Sequence, residues 1–168
     1  DCYYSYGIYN STYTVDVSGT AFNHPGIDRL DDDWKKLPVA YKLDIAADGT
    51  GSLNGEWVGY VDEVDYRKLD LTVSGSYKFK ISGLESYVTM TVCQKYGTGT
   101  SAYLVALGAV TVNGTIADAE GSVGNLLLDK TKDYYLKVDA PYYSYGIYNS
   151  TYEVDVSASK LRSEERRV

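Results

Sequence analysis

Two short runs hold the acids that could do chemistry. One contains Asp28, Asp31, Asp32 and Asp33; the other contains Asp62, Glu63 and Asp65. Adjacent aspartates repel one another at neutral pH unless water or a cation meets them. Hard oxygen donors on flexible loops are what Ca2+ takes, about six to eight to an ion. In Asp62-x-x-Asp65 an irregular backbone can aim both carboxylates at one ion. The spacing alone fits two readings. One is a calcium site drawn from Asp31, Asp32, Asp33, Asp62 and Asp65; the other is a pair of solvated acidic turns.

Catalytic devices find little support. His24 is the single histidine, so any Ser-His-Asp or Cys-His arrangement must use it. Neither a nucleophile elbow nor an HExxH run accompanies it. It stands beside Pro25 in an unpatterned stretch, the setting of a solvated loop residue. Acids that might pair for glycoside hydrolysis are plentiful, but no pair is singled out. The expectation is a protein that is not an enzyme.

Net charge is −7 and the sequence pI is about 4.6. A phosphate backbone or an anionic membrane surface is repelled by such a chain, so nucleic acid is not an expected partner. No apolar run reaches the ~18 residues that a spanning helix needs. Cys2 and Cys93 match no metal or redox spacing. Parity on the strand Tyr87–Gln94 puts Cys93 with Thr89 and Thr91, opposite Val88, Met90 and Val92, which predicts a surface position. A Cys2–Cys93 bridge and two free thiols both remain open.

The elements that must position these acids are announced by a duplication. Residues 3–18 read YYSYGIYNSTYTVDVS and residues 142–157 read YYSYGIYNSTYEVDVS, at an offset of 139 residues, differing only at Thr14 and Glu153. A domain-sized offset is what a tandem array of whole domains leaves. On this reading residues 1–20 are the closing hairpin of a preceding repeat, 21–157 a complete repeat, and 158–168 a charged tail or linker. Tyr13, Val15 and Val17 alternate with polar residues, as on a half-buried strand. Tyr3, Tyr4, Tyr6, Tyr9, Tyr13, Val15, Val17, Tyr142, Tyr143, Tyr145 and Tyr148 form a candidate ligand or assembly surface. Tyrosine with Ser, Gly and Asn supplies rigid aromatic area beside adaptable hydrogen bonding. The competing reading packs these tyrosines on neighbouring strands or on the next repeat. Because two copies compete for one closing position, self-association through residues 3–18 into head-to-tail filaments is a further expectation.

Nineteen tyrosines and sixteen glycines against three prolines suit strands and tight turns. One helical turn is expected within 31–36. Val39, Tyr41, Leu43 and Ile45 alternate as a strand, and Ser52–Tyr60 follows after the Asp48–Gly51 turn. Leu69, Leu71 and Val73 alternate inward, then Tyr77, Phe79 and Ile81. Further strands are expected at Tyr87–Gln94, Ala102–Leu107, Ala109–Val112, Leu126–Leu128 and Tyr134–Val138. A hairpin from Leu136–Ala140 to Thr151–Val156 closes the unit. Eight or nine short strands with hardly a helical period predict an all-β, antiparallel, jelly-roll-like β-sandwich.

The run GEWVGYVDEVDYRKLDLTVSGSYKFKISGL, with LLLDKTKDYYLKVDAP and STYEVDVS downstream, resembles the bacterial pre-peptidase C-terminal and collagen-binding domains. The resemblance covers roughly Asp31 to Ser157, and Asp62-x-x-Asp65-Tyr66 is its most specific piece. It implies a jelly-roll sandwich, attached to secreted proteases or repeated in large surface proteins. It also implies Ca2+ held between an acidic N-terminal segment, here Asp31–Asp33, and the turn bearing Asp62 and Asp65. Arg67 departs from the pattern, standing where the family has an aromatic. Lys132-Asp133 departs too, in place of Gly-x.

Together these readings predict a calcium-stabilised repeat of a secreted or bacterial cell-surface protein, serving in adhesion, spacing or self-assembly. Its partners would be neighbouring repeats, copies of itself, a matrix protein or a glycan. The alternative is an ancillary collagen- or carbohydrate-targeting domain of a secreted hydrolase.

Overall fold

The computed structural model describes residues 30–59, 62–143, 146–147 and 149–160. Among the described residues there are eleven strands: β1 Lys42–Ile45, β2 Gly51–Val58, β3 Val64–Leu71, β4 Gly75–Ser82, β5 Tyr87–Tyr96, β6 Tyr103–Asn113, β7 Gly121–Leu128, β8 Tyr134–Asp139, β9 Tyr142–Tyr143, β10 Gly146–Ile147 and β11 Ser150–Lys160. Nine of them make a β-sandwich. One sheet runs β1-β3-β8-β5-β6 and the other β2-β11-β4-β7, with β9 and β10 forming a separate small pair. All pairings are antiparallel except β1 with β3.

Period-two alternation builds the interior. On β4, Tyr77, Phe79 and Ile81 are fully buried while Lys78 faces solvent. They meet Tyr152, Val154 and Val156 of β11 and the inward residues of the facing sheet, among them Leu43, Leu69, Met90, Val92, Leu136 and Val138. A continuous apolar layer between two twisted sheets is what holds such a fold, at roughly 25 cal/mol per Å² removed from water.

Several expectations need correction. The first strand starts at Lys42, not Val39: the chain turns through Pro38–Tyr41, where Tyr41 N–H donates to Pro38 C=O at 2.9 Å, leaving Val39 92% exposed. Where one helical turn is expected within 31–36, the chain makes a plain hydrogen-bonded turn, closed by Lys36 N–H on Asp33 C=O at 2.9 Å. Ala102–Leu107 and Ala109–Val112 are one strand, β6. Its pairing with β5 slips between Val92 and Cys93, which makes Leu107 a bulge. Gly108 beside it has no room for a Cβ, which would lie 2.5 Å from Val123 Cγ1. The strand expected at Leu126–Leu128 begins five residues earlier, at Gly121.

The largest correction is topological. The predicted hairpin of Leu136–Ala140 with Thr151–Val156 does not form. Both edges of β8 are taken by β3 and β5, so the chain crosses to the other sheet, where β11 enters between β2 and β4. β11 also continues to Lys160, past the expected boundary at 157.

Cys93 is the other reversal. It is 5% exposed, not at the surface. Its face of the five-stranded sheet is roofed by large side chains: Tyr135 stands directly across from it on β8, and Trp34 sits edge-on to that ring at 5.4 Å. The thiol is free. Burial is the leading cause that pushes it above the ordinary thiol range, with Lys137 opposing and Asp139 adding. A raised thiol pKa means less thiolate at any working pH, and thiolate is the reactive form. In a Cys2→Ser chain at mildly alkaline pH, Cys93 should therefore resist thiol reagents until denaturant is added. Rapid stoichiometric labelling of the native protein would contradict this placement.

Candidate metal centre

The inward face of β3 reads Asp65, Arg67, Leu69. Two of its three core positions are thus charged, so one end of the sandwich interior is polar. The strand is led in by a tight reversal in which Gly59 N–H donates to Asp62 C=O at 2.7 Å and Asp62 N–H returns to Gly59 C=O at 3.2 Å. Gly59 is required there. A Cβ would meet Asn149 Oδ1 at 2.3 Å and the Trp57 ring at 2.6 Å. This reversal sets Asp62 inside the fold, three residues from Asp65.

Asp31 is delivered by the segment before β1, pinned where its carbonyl accepts Tyr66 N–H at 3.1 Å. Asp31, Asp62 and Asp65 are 2%, 1% and 2% exposed. One carboxylate oxygen from each lies within 4.8 Å of the others. The Oδ1 atoms of all three are buried and accept no hydrogen bond, alongside the other contacts these side chains make.

Arg67 is the buried cation among the described residues. Its guanidinium pairs with Asp31 Oδ2, donates to Tyr66 C=O at 3.0 Å and to Glu56 Oε2 at 2.8 Å, and lies 4.8 Å from the Tyr41 ring centroid. Tyr152 of β11 donates its phenolic proton to Asp65 Oδ2. Burial first, then the Asp65 and Glu56 charges, push that phenol well above its ordinary pKa, so it stays a donor.

The charge count leaves an excess. Three carboxylates and the partly buried Glu56 face one guanidinium. At 4.8 Å and an effective dielectric of 20, each pair of like charges costs about 3–4 kcal/mol. A bound cation removes that cost. Oxygen-only donors suit a hard ion better than zinc, whose protein sites are built chiefly on nitrogen and sulfur with carboxylates added. Two oxygens on a calcium shell of radius about 2.4 Å lie at most about 4.8 Å apart, so the three fit one shell.

Of the five predicted ligands, the fold thus unites Asp31, Asp62 and Asp65. Asp32 and Asp33 are half-buried and not part of the group. Asp33 instead holds its own turn, accepting Lys35 N–H at 3.0 Å and pairing with Lys36 Nζ at 3.4 Å. Arg67, Glu56, Tyr41 and Tyr152 were not foreseen as parts of the centre. For Arg67 and Tyr152 a signal existed: each occupies inward parity on its strand, and a buried charge or phenol must find a partner.

The tyrosine surface is a different matter. Tyr3, Tyr4, Tyr6, Tyr9, Tyr13, Val15, Val17, Tyr145 and Tyr148 lie outside the described residues, as do His24 and Cys2; Tyr142 and Tyr143 form β9 by their backbone. The described residues carry an aromatic surface of their own. A cleft of about 400 Å³ beside the centre is walled by Trp34, Pro38, Tyr41 and Tyr135, with the Lys42–Asp70 ion pair at 2.9 Å on its rim. Aromatic walls beside a few polar groups are the usual lining of a site for an amphipathic ligand.

No family model matches the chain, and no curated protein matches it. Among solved structures, the crystal structure of Aeromonas hydrophila PliG, a periplasmic lysozyme inhibitor of g-type lysozyme, is similar at 12% identity over 70% of this chain and 96% of that one, with a TM-score of 0.37. A likeness at that level carries no argument about activity. No helix of the described residues is long and apolar enough to cross a membrane.

Proposed function

We propose that this chain is a non-catalytic, calcium-stabilised β-sandwich unit of a secreted or surface-exposed bacterial protein, used in adhesion, spacing or assembly. The observation that carries the calcium reading is the convergence of Asp31, Asp62 and Asp65 within 4.8 Å of one another inside the fold. Their chain positions matter as much as their geometry. Asp31 comes from the segment leading into the domain, Asp62 from the crossing between the sheets, and Asp65 from β3. One ion would therefore fasten the lead-in segment to the sandwich, which suits a unit that must hold its place relative to a neighbour. Sites of few carboxylates in extracellular modules bind calcium at high micromolar to millimolar levels, which favours work outside the cell. Neighbouring units, a matrix protein or a glycan are the partners this reading allows.

Equilibrium dialysis against labelled calcium tests it. One ion per chain is expected, lost in Asp62→Ala and in Asp65→Ala, and kept in Asp33→Ala. Equal binding by the parent and by Asp62→Ala would end the proposal.

A further inference from the structure

β11 is the strand on which the sandwich closes. It is hydrogen-bonded along both edges, to β2 and to β4. Its inward residues Tyr152, Val154 and Val156 are buried to 3% exposure or less. The polar side chains at its start are engaged as fully. Ser150 Oγ accepts Glu85 N–H at 2.8 Å and Ser86 N–H at 3.3 Å and donates to Thr151 C=O at 2.8 Å. Thr151 Oγ1 donates to Gly83 C=O at 2.8 Å, and Tyr152 reaches Asp65.

Each of these side chains recurs 139 residues earlier: Ser11, Thr12, Tyr13, Val15 and Val17 repeat Ser150, Thr151, Tyr152, Val154 and Val156. Even Asp155, 4.0 Å from Lys80, has its copy in Asp16. The one difference, Thr14 for Glu153, falls on an exposed position. Nothing that the slot between β2 and β4 recognises distinguishes the two copies from Ser150 to Ser157.

We propose that residues 11–18 are a second closing strand for this slot, interchangeable with residues 150–157 of the same chain. The reach is sufficient. Asp31 is held beside Tyr66, at the end of the sandwich where Tyr152 meets Asp65. A strand occupying the slot in the direction of β11 would leave Ser18 where Ser157 now sits, five residues or about 17 Å from that end. The twelve residues 19–30 that join Ser18 to Asp31 span about 40 Å when extended. Beyond Ser157 the copies part, Gly19 standing for the core-packed Ala158; over the eight shared residues the contacts are the same, and occupancy there is decided by effective concentration. Exchange with another molecule leaves the number of filled slots unchanged, so it gains nothing over closure within one chain unless units are tethered side by side.

The inference is independent of the calcium reading and is tested in the 168-residue chain without a ligand. Val154→Asp puts a charge at a position that is 0% exposed. With a spare strand available, Val154→Asp and Val15→Asp should each keep one cooperative thermal transition close to that of the parent. The double variant Val15→Asp/Val154→Asp should lose it. Loss of the transition in Val154→Asp alone, as complete as in the double variant, would overturn the proposal. So would its loss in Val15→Asp alone, or a double variant that still melts like the parent.

Discussion

Replacing Arg67 with methionine is expected to lower the melting temperature by about 10–20 °C when calcium is chelated, and by much less when calcium is in excess. Methionine is nearly isosteric with the arginine stem, so packing along that stem changes little. What changes is charge. Arg67 is paired with Asp31 and Glu56 in a site from which water is largely removed. Taking away one partner of a buried pair costs about 3–5 kcal/mol, because the remaining charge stays desolvated and unmet. A calcium ion on Asp31, Asp62 and Asp65 would meet most of it, so the loss should shrink when calcium is supplied. A drop of the same size with calcium and with chelator would mean that Arg67 neutralises the acids without any ion.

Much of the fold was legible because alternation is local. β4, β5, β8 and β11 announce themselves through Tyr77-Phe79-Ile81, Val88-Met90-Val92, Tyr134-Leu136-Val138 and Tyr152-Val154-Val156. β7 starts with Gly-Ser-Val-Gly-Asn, and residues without large side chains leave no pattern to read. The bulge at Leu107 broke one strand into two for a different reason: it shifts the parity that identifies a strand. Which sheet β11 joins is not local information. It depends on both edges of β8 being taken by strands whose paired residues lie forty or more positions away in sequence. Cys93 was misplaced because parity names a face, not what covers that face. Tyr135 and Trp34 do the covering, and they come from elements distant in sequence.

The candidate site divides the same way. Asp62 and Asp65 were legible from spacing, and Asp31 only as one of three neighbours. What separates Asp31 from Asp32 and Asp33 is a backbone hydrogen bond to Tyr66 and the ion pair with Arg67, and no composition encodes either. Glu56 gave no signal at all. It sits on β2, and the fold brings it to Arg67 at 2.8 Å across the junction of the two sheets.

Asp62→Asn is the variant for which the calcium account and a purely structural one differ in sign. The substitution keeps the shape of the side chain and removes one negative charge from three that share a space of 4.8 Å. Without calcium, less repulsion should make Asp62→Asn as stable as the parent or more so, since each like-charge pair costs about 3–4 kcal/mol at an effective dielectric of 20. With calcium the order should reverse, because a weakened site gains little from the ion. The parent should gain about 2.7 kcal/mol at a hundredfold excess over Kd, or about 10 °C for a domain of this size. The measurement is thermal unfolding of the two 168-residue chains, each in excess calcium and in excess chelator. The account predicts crossed curves: the parent rises by about 10 °C with calcium, and Asp62→Asn starts level or higher with chelator and barely moves. Parent curves that coincide in calcium and chelator, or an Asp62→Asn chain that rises as far as the parent, would contradict it.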